Sequence, residues 1–169
     1  GVHYCGVRAV LFALDFKYTR YPRSAKKVLR QASPAVRNDG DVIMAAVAID
    51  GNMLELAGRS CRADRDIVMA AVNNRGLSLK HASAKVRDDQ EVVLAAIRRD
   101  PDALQHASAR LRAKREVVMA AITQYPCALR HASASLRGNR EVVTAALRQC
   151  CPGSDSVADT HLRAPATDS

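Results

Sequence analysis

Residues 81–97 read HASAKVRDDQEVVLAAI, residues 106–122 read HASARLRAKREVVMAAI, and residues 131–147 read HASASLRGNREVVTAAL. The interval from each His to the next is 25 residues. Self-similarity at a fixed period of this size is the mark of a repeat array. Working outward, the same frame extends towards the N-terminus. An Ala pair stands at Ala45-Ala46, Ala70-Ala71, Ala95-Ala96, Ala120-Ala121 and Ala145-Ala146. Two apolar residues precede each pair: Val42-Ile43, Ile67-Val68, Val92-Val93, Val117-Val118 and Val142-Val143. Leu29, Leu54, Leu79, Leu104 and Leu129 recur in phase, so five copies lie between about Lys26 and Cys150.

Each copy is expected to hold two helices. In the fourth, Asp100-Pro101 is a start signal, a capping side chain followed by Pro at the first helical position. Leu104, Ala107 and Leu111 then follow on one helical face. A polar break comes around Arg112 to Arg115, and the second helix begins near Glu116. Asp39, Asp64, Asp89 and Asn139 stand at its N-cap in the other copies, whereas Lys114 offers none. Such short helices bury their apolar faces only by stacking pair on pair. The expected fold is all-α: a solenoid of five stacked two-helix repeats over residues 26–150. Residues 1–25 do not match the frame and are read as an N-terminal capping helix, Cys5 to Arg20, with a linker. Residues 151–169 are read as an irregular, extended Pro/Ser/Asp-rich tail.

The frame ALxHASxxLRxxREVVxAAI, with Gly or Pro opening the first helix, resembles the repeat family called domain of unknown function 4116, which is plentiful in protists and algae. The resemblance covers about Lys26 to Cys150 and is strongest from Leu79 to Leu147. The second copy departs from it, since LELAGRSCR at residues 54–62 lacks both the His and the Ser. The resemblance implies helical-repeat architecture and carries over no catalytic residue.

The bulk composition fits this picture. The chain has 169 residues, 48% hydrophobic and 25% charged, with aromatics at only 4% and no Trp. The apolar content is therefore mostly small and aliphatic, which suits closely packed helices. The net charge is +9, compatible with nucleic acid, an anionic membrane surface or an acidic protein. The excess is concentrated: from Ala103 to Cys150 eight basic residues face two acids. Five cysteines without a CxxC pair argue for a reducing compartment rather than a disulfide framework. No run approaches the ~20 apolar residues of a membrane span, so a peripheral place on a membrane complex is the most that is expected. Nothing indicates a homo-oligomer. A chain starting at Gly1 fits either a processed protein or an incomplete sequence, and an organelle, plastid or mitochondrion, is the expected location.

Three polar columns bear on chemistry. His81, His106 and His131 form the first. Donors to one metal ion sit only ~3–4 Å apart, whereas equivalent positions of stacked repeats are ~9–10 Å apart. One column therefore cannot close on one ion, and no metal or other cofactor is expected. The ring is read as bonding a nearby carbonyl or Ser. The Ser column, Ser33, Ser83, Ser108 and Ser133, recurs too often to be a nucleophile, of which an enzyme needs one. Its expected roles are small size at a helix crossing or a C-terminal hydrogen bond. The third column is Arg37, Arg62, Arg87, Arg112 and Arg137, each followed four residues on by an acid: Asp41, Asp66, Glu91, Glu116 and Glu141. It is read as a ladder of ion pairs or carbonyl clamps that fixes the turn and ties repeat to repeat.

Function is then expected at positions that vary between copies. The basic ones, Arg98, Arg110, Arg115, Arg130, Arg140 and Arg148, are the candidate partner-binding residues. The expectation is a non-enzymatic scaffold subunit that binds other protein subunits of a larger assembly. The alternative is an RNA-binding helical repeat, which the paucity of aromatics disfavours.

Overall fold

The computed structural model of the chain describes residues 22–150. The capping helix expected at Cys5–Arg20 and the tail from Cys151 lie outside the described residues. Among the described residues every regular element is helical. The first copy comprises α1 (Pro22–Gln31), α2 (Pro34–Arg37) and α3 (Gly40–Ile49). The second has a 3₁₀ helix (Gly51–Leu56), α4 (Arg59–Ala63) and α5 (Arg65–Asn74). The third has 3₁₀ helices at Gly76–His81 and Val86–Asp88, then α6 (Gln90–Arg99). The fourth has a 3₁₀ helix (Pro101–His106), α7 (Ala109–Arg112) and α8 (Arg115–Gln124). The fifth has a 3₁₀ helix (Pro126–His131), α9 (Ala134–Arg137) and α10 (Arg140–Cys150). The structure is thus an all-α array of repeats.

Each copy has three helical pieces, where two were expected. The supposed first helix breaks at the Ala-Ser pair. In the fourth copy Ala107 ends the 3₁₀ helix, its N–H donating to Leu104 O, and Ser108 is extended. The Ser108 hydroxyl accepts from the N–H of Leu111 at 3.2 Å, capping a new turn. Ser33, Ser83 and Ser133 accept in the same way from Val36, Val86 and Leu136. Ser33, Ser108 and Ser133 are therefore N-caps, and Ser83 closes the turn that leads into the 3₁₀ helix at Val86–Asp88. The helix that opens the first copy also crosses the boundary drawn at residue 25.

The long helices start where the capping residues put them. Asp39, Asp64, Asp89 and Asn139 accept from the second and third N–H groups beyond them. Lys114 makes no side-chain cap, and α8 begins without one. Acid in the first turn, from Asp41 to Glu141, faces the positive end of each helix dipole.

The core runs the length of the array. Val42, Ile43, Ala46 and Val47, and their equivalents in the next three copies, are buried, as are Leu29, Leu54, Leu79 and Leu104. Each long helix packs on the next long helix and on the 3₁₀ helix that follows it. The 3₁₀ helix also lies so close to the long helix of its own copy that Gly51 and Gly76 have no room for a side chain. A Cβ on Gly51 would run into the carbonyl oxygen of Ala71, and one on Gly76 into that of Ala96. No helix of the described residues is long and apolar enough to cross a membrane.

Candidate partner-binding surface

The Arg column joins the repeats through its backbone, not through the side-chain ion pairs or carbonyl clamps expected of it. The carbonyls of Arg37, Arg62, Arg87 and Arg112 accept from the N–H groups of Gly58, Ser83, Ser108 and Ser133 in the following repeat. No ion pair forms between any of these arginines and the acid four residues on. The reason is local. A break at Asn38-Asp39, and at its equivalents, separates the short helix from the long one, so the two side chains never share a helical face. Two of the acids turn to the preceding repeat instead, Glu91 to Arg65 and Glu141 to Arg115, and Glu116 pairs with Lys114 beside it. The Arg37, Arg62, Arg87 and Arg112 side chains are half-buried, and Arg137 is exposed. The Nε atoms of Arg37, Arg87 and Arg112 are enclosed without a hydrogen-bond partner. Arg137 is the one exposed member of the column, and Arg62 is partly open.

The His column differs from expectation too. His131 bonds neither a carbonyl nor a Ser. Arg130 Nε donates to its Nε2 at 2.9 Å, and Asp102 Oδ1 lies 3.2 Å from the same nitrogen. Burial pushes the His81 and His106 imidazoles below their ordinary value, and the Lys80 ammonium adds to the effect. His81, Ser83 and Arg62 do come together, with Arg59, around a notch of about 260 Å³. No carboxylate lines it to orient a base.

The six candidate arginines divide into two sets. Arg110 and Arg130 belong to the short elements and are held in ion pairs between repeats. Arg110 Nε donates to Asp88 at 3.0 Å, and Arg130 Nη2 to Asp102 at 3.1 Å. The Arg110 guanidinium and the Ser108 hydroxyl hold the Asp88 carboxyl below its usual range. These pairs tie one repeat to the next at the surface.

Arg98, Arg115, Arg140 and Arg148 instead lie on long helices. Three of them meet at a groove of about 390 Å³ between α8 and α10. Met119 and Ala145 supply its apolar part, and Arg115, Arg140 and Arg148 its charge. Glu141 and Thr144 complete the lining; Glu141 is engaged by Arg115, and Thr144 Oγ1 donates to Arg140 O at 2.7 Å. Arg98 occupies, two repeats earlier, the position that Arg148 occupies in the last.

Met119 belongs to a column that sequence reasoning passed over. Met44, Met69, Leu94 and Met119 recur at the 25-residue spacing, two residues before the second Ala of each pair. Met44 is exposed, and the other three are half-buried on the margin of the core. The signal was there to read, because the residues are in phase. It was hidden by the stronger Val and Ala columns on either side. Large flexible side chains in a half-exposed row suit an adaptable contact surface.

The model of a family described as domain of unknown function (DUF4116) matches residues 39–85, 64–112 and 114–152, together well over half of the chain. No curated protein matches the chain, and neither does any solved structure.

Proposed function

The chain belongs to that repeat family, and on this premise we propose that it is a non-enzymatic scaffold subunit of a larger assembly, docking by the groove between α8 and α10 onto an acidic partner protein. The observation that carries the reading is the make-up of the groove: three arginines against one glutamate, around an apolar strip of Met119 and Ala145. Such a surface accepts an amphipathic segment whose acidic side chains meet Arg140 and Arg148 while its apolar side covers Met119. The Met column extends the apolar strip towards the N-terminus. Residence of the assembly in a plastid or mitochondrion is part of the same proposal and is read by fractionation.

RNA is the second reading. The notch of Arg59, Arg62, His81 and Ser83 favours it, since two guanidinium groups beside a hydroxyl suit a phosphate. One experiment separates the two: the native size of the protein in an extract of its source, with and without nuclease, for the wild type and for an Arg140→Glu/Arg148→Glu variant. The scaffold reading expects a large, nuclease-resistant species that the variant fails to enter. A large species that collapses on nuclease treatment moves RNA to first place. A wild-type chain that runs free at 18.3 kDa overturns both.

A further inference from the structure

Where the short helical piece of one copy ends, it meets the turn that opens the short piece of the next, and the joints fill this place differently. Between the third and fourth copies Asp88 fills it. Its carboxylate accepts from the Ser108 hydroxyl and, at 3.0 and 3.1 Å, from Arg110 Nε. Between the first and second copies Asn38 fills it, and Asn38 Oδ1 accepts from the Ser60 hydroxyl at 2.9 Å. In both joints a side-chain oxygen of one copy answers a donor of the next. Between the second and third copies the equivalent residue is Ala63, which has no oxygen to offer. The Ser83 hydroxyl there accepts from the Val86 N–H and, among the described residues, donates to no acceptor.

The same joint gathers positive charge. Arg59, Arg62, His81 and Ser83 line the notch of about 260 Å³. Arg59 has no counterpart, since Pro34, Ala84, Ala109 and Ala134 stand at its position in the other copies. The Arg37, Arg87 and Arg112 Nε atoms are enclosed in the stack, whereas Arg62 lines the notch. Neither Arg59 nor Arg62 has an acidic partner among the described residues. Glu55, which acts on the His81 ring from nearby, is already engaged by Lys26 at 3.1 Å. The joint between the fourth and fifth copies also has an alanine, Ala113, but Ala109 stands where Arg59 does. Its Ser133 and Ser135 hydroxyls satisfy each other at 2.9 Å.

Two guanidinium groups and a hydroxyl suit phosphate and carboxylate alike. The occupant of the next joint chooses between them, because there the chain itself places a carboxylate on the equivalent serine. We propose that the notch between the second and third repeats binds the carboxylate of an Asp or Glu side chain from a partner protein, in the place that Asp88 takes one repeat later. The Ser83 hydroxyl donates to one oxygen, and Arg59 and Arg62 neutralise the charge. The protein nature of the partner rests on the scaffold reading, to which the notch adds a second contact away from the groove between α8 and α10. The isolated chain suffices to test it, so its failure leaves the groove untouched.

The experiment is an NMR titration of the full chain with the peptide acetyl-Ala-Asp-Ala-amide at constant ionic strength. Saturable shifts are expected at the backbone amides of residues 59–62 and 81–83, and none with acetyl-Ala-Asn-Ala-amide. Ala63→Asp supplies the carboxylate from within and should weaken peptide binding by about tenfold or more. Ala113→Asp makes the same charge change at another joint and should leave binding intact. Arg59→Gln, a change at an exposed position outside the core, should weaken it as Ala63→Asp does. No saturable shift at Ser83 in the wild type, or equal binding by the wild type and Ala63→Asp, overturns the proposal. Inorganic phosphate that binds at the same amides more tightly than the Asp peptide overturns it in favour of a phosphate ligand.

Discussion

The carbonyl oxygen of Arg112 accepts a hydrogen bond from the N–H of Ser133 at 2.9 Å, and this bond recurs at each joint of the array. Its equivalents join Arg37 to Gly58, Arg62 to Ser83 and Arg87 to Ser108, at 2.6 to 3.0 Å. Because both partners are backbone groups, the joint survives where the frame loses its Ser. Gly58 donates as well as the serines do, and Asn38 fills the space a side chain there would take. Asn38 also accepts from Ser60 at 2.9 Å, restoring a polar tie between the first two copies.

Close approach of a 3₁₀ helix to the long helix of its own repeat makes two glycines indispensable, while a third is dispensable. Gly51→Ala or Gly76→Ala forces a Cβ against a backbone carbonyl of the next long helix. A loss of roughly 1–3 kcal/mol is expected in chemical denaturation. At Gly138 the nearest atoms to a Cβ are 3.6 and 3.8 Å away, and the backbone is right-handed helical. Gly138→Ala should leave stability unchanged or raise it by about 0.4–1 kcal/mol.

Burial along the Leu column predicts a graded response. Leu104 is fully buried, so Leu104→Ala should cost about 2–5 kcal/mol. Leu129 is only half-buried, and Leu129→Ala should cost less than half as much. Equal losses in thermal or urea unfolding would mean that the fifth repeat is as well covered as the fourth.

Helix capping predicts opposite signs at two equivalent positions. Asp64 accepts from the N–H groups of Asp66 and Ile67 at 2.9 and 3.2 Å, so Asp64→Ala should lose about 1 kcal/mol. Lys114 caps nothing, and Lys114→Asp supplies the missing acceptor to α8. The variant gives up a part-buried hydrogen bond from Lys114 to Gln90 and a surface ion pair with Glu116 of small value. A net gain in midpoint temperature is expected; a fall would show that those contacts outweigh the cap.

Stability should fall in two stages on acidification. Burial, reinforced by Lys80, pushes His81 and His106 below their ordinary value of 6.5. The unfolded chain then takes up protons first, so the contribution of the neutral rings is complete above pH 6.5. It is lost as pH falls below that value and levels off once the folded pKa is passed. The second stage comes from carboxylates held low, Glu55 by Lys26 and Asp88 by Arg110 and Ser108. Their contribution is present above about pH 4 and is lost as pH falls through the lowered folded values. Gln stands at this column in the first copy, as Gln31. A His81→Gln/His106→Gln variant should lose the first stage alone. A wild type equally stable at pH 7 and pH 5 would refute the assignment.

The sequence by itself determined the period, the helical class, the core columns and the caps. These depend on residue type and spacing along one helix or one turn, and a 25-residue register exposes them directly. Asp39, Asp64, Asp89 and Asn139 cap the helices they were expected to cap, and Lys114 was legible as the exception. Tertiary structure decided what touches what between repeats. The sequence pairs Arg87 with Glu91 because they stand four residues apart, but the end of one helix and the start of the next between them send Glu91 to Arg65. It also offers six arginines as equals. Only the stacking of one copy on the next, which no local spacing encodes, commits Arg110 and Arg130 to the joints and brings Arg115, Arg140 and Arg148 together around one groove.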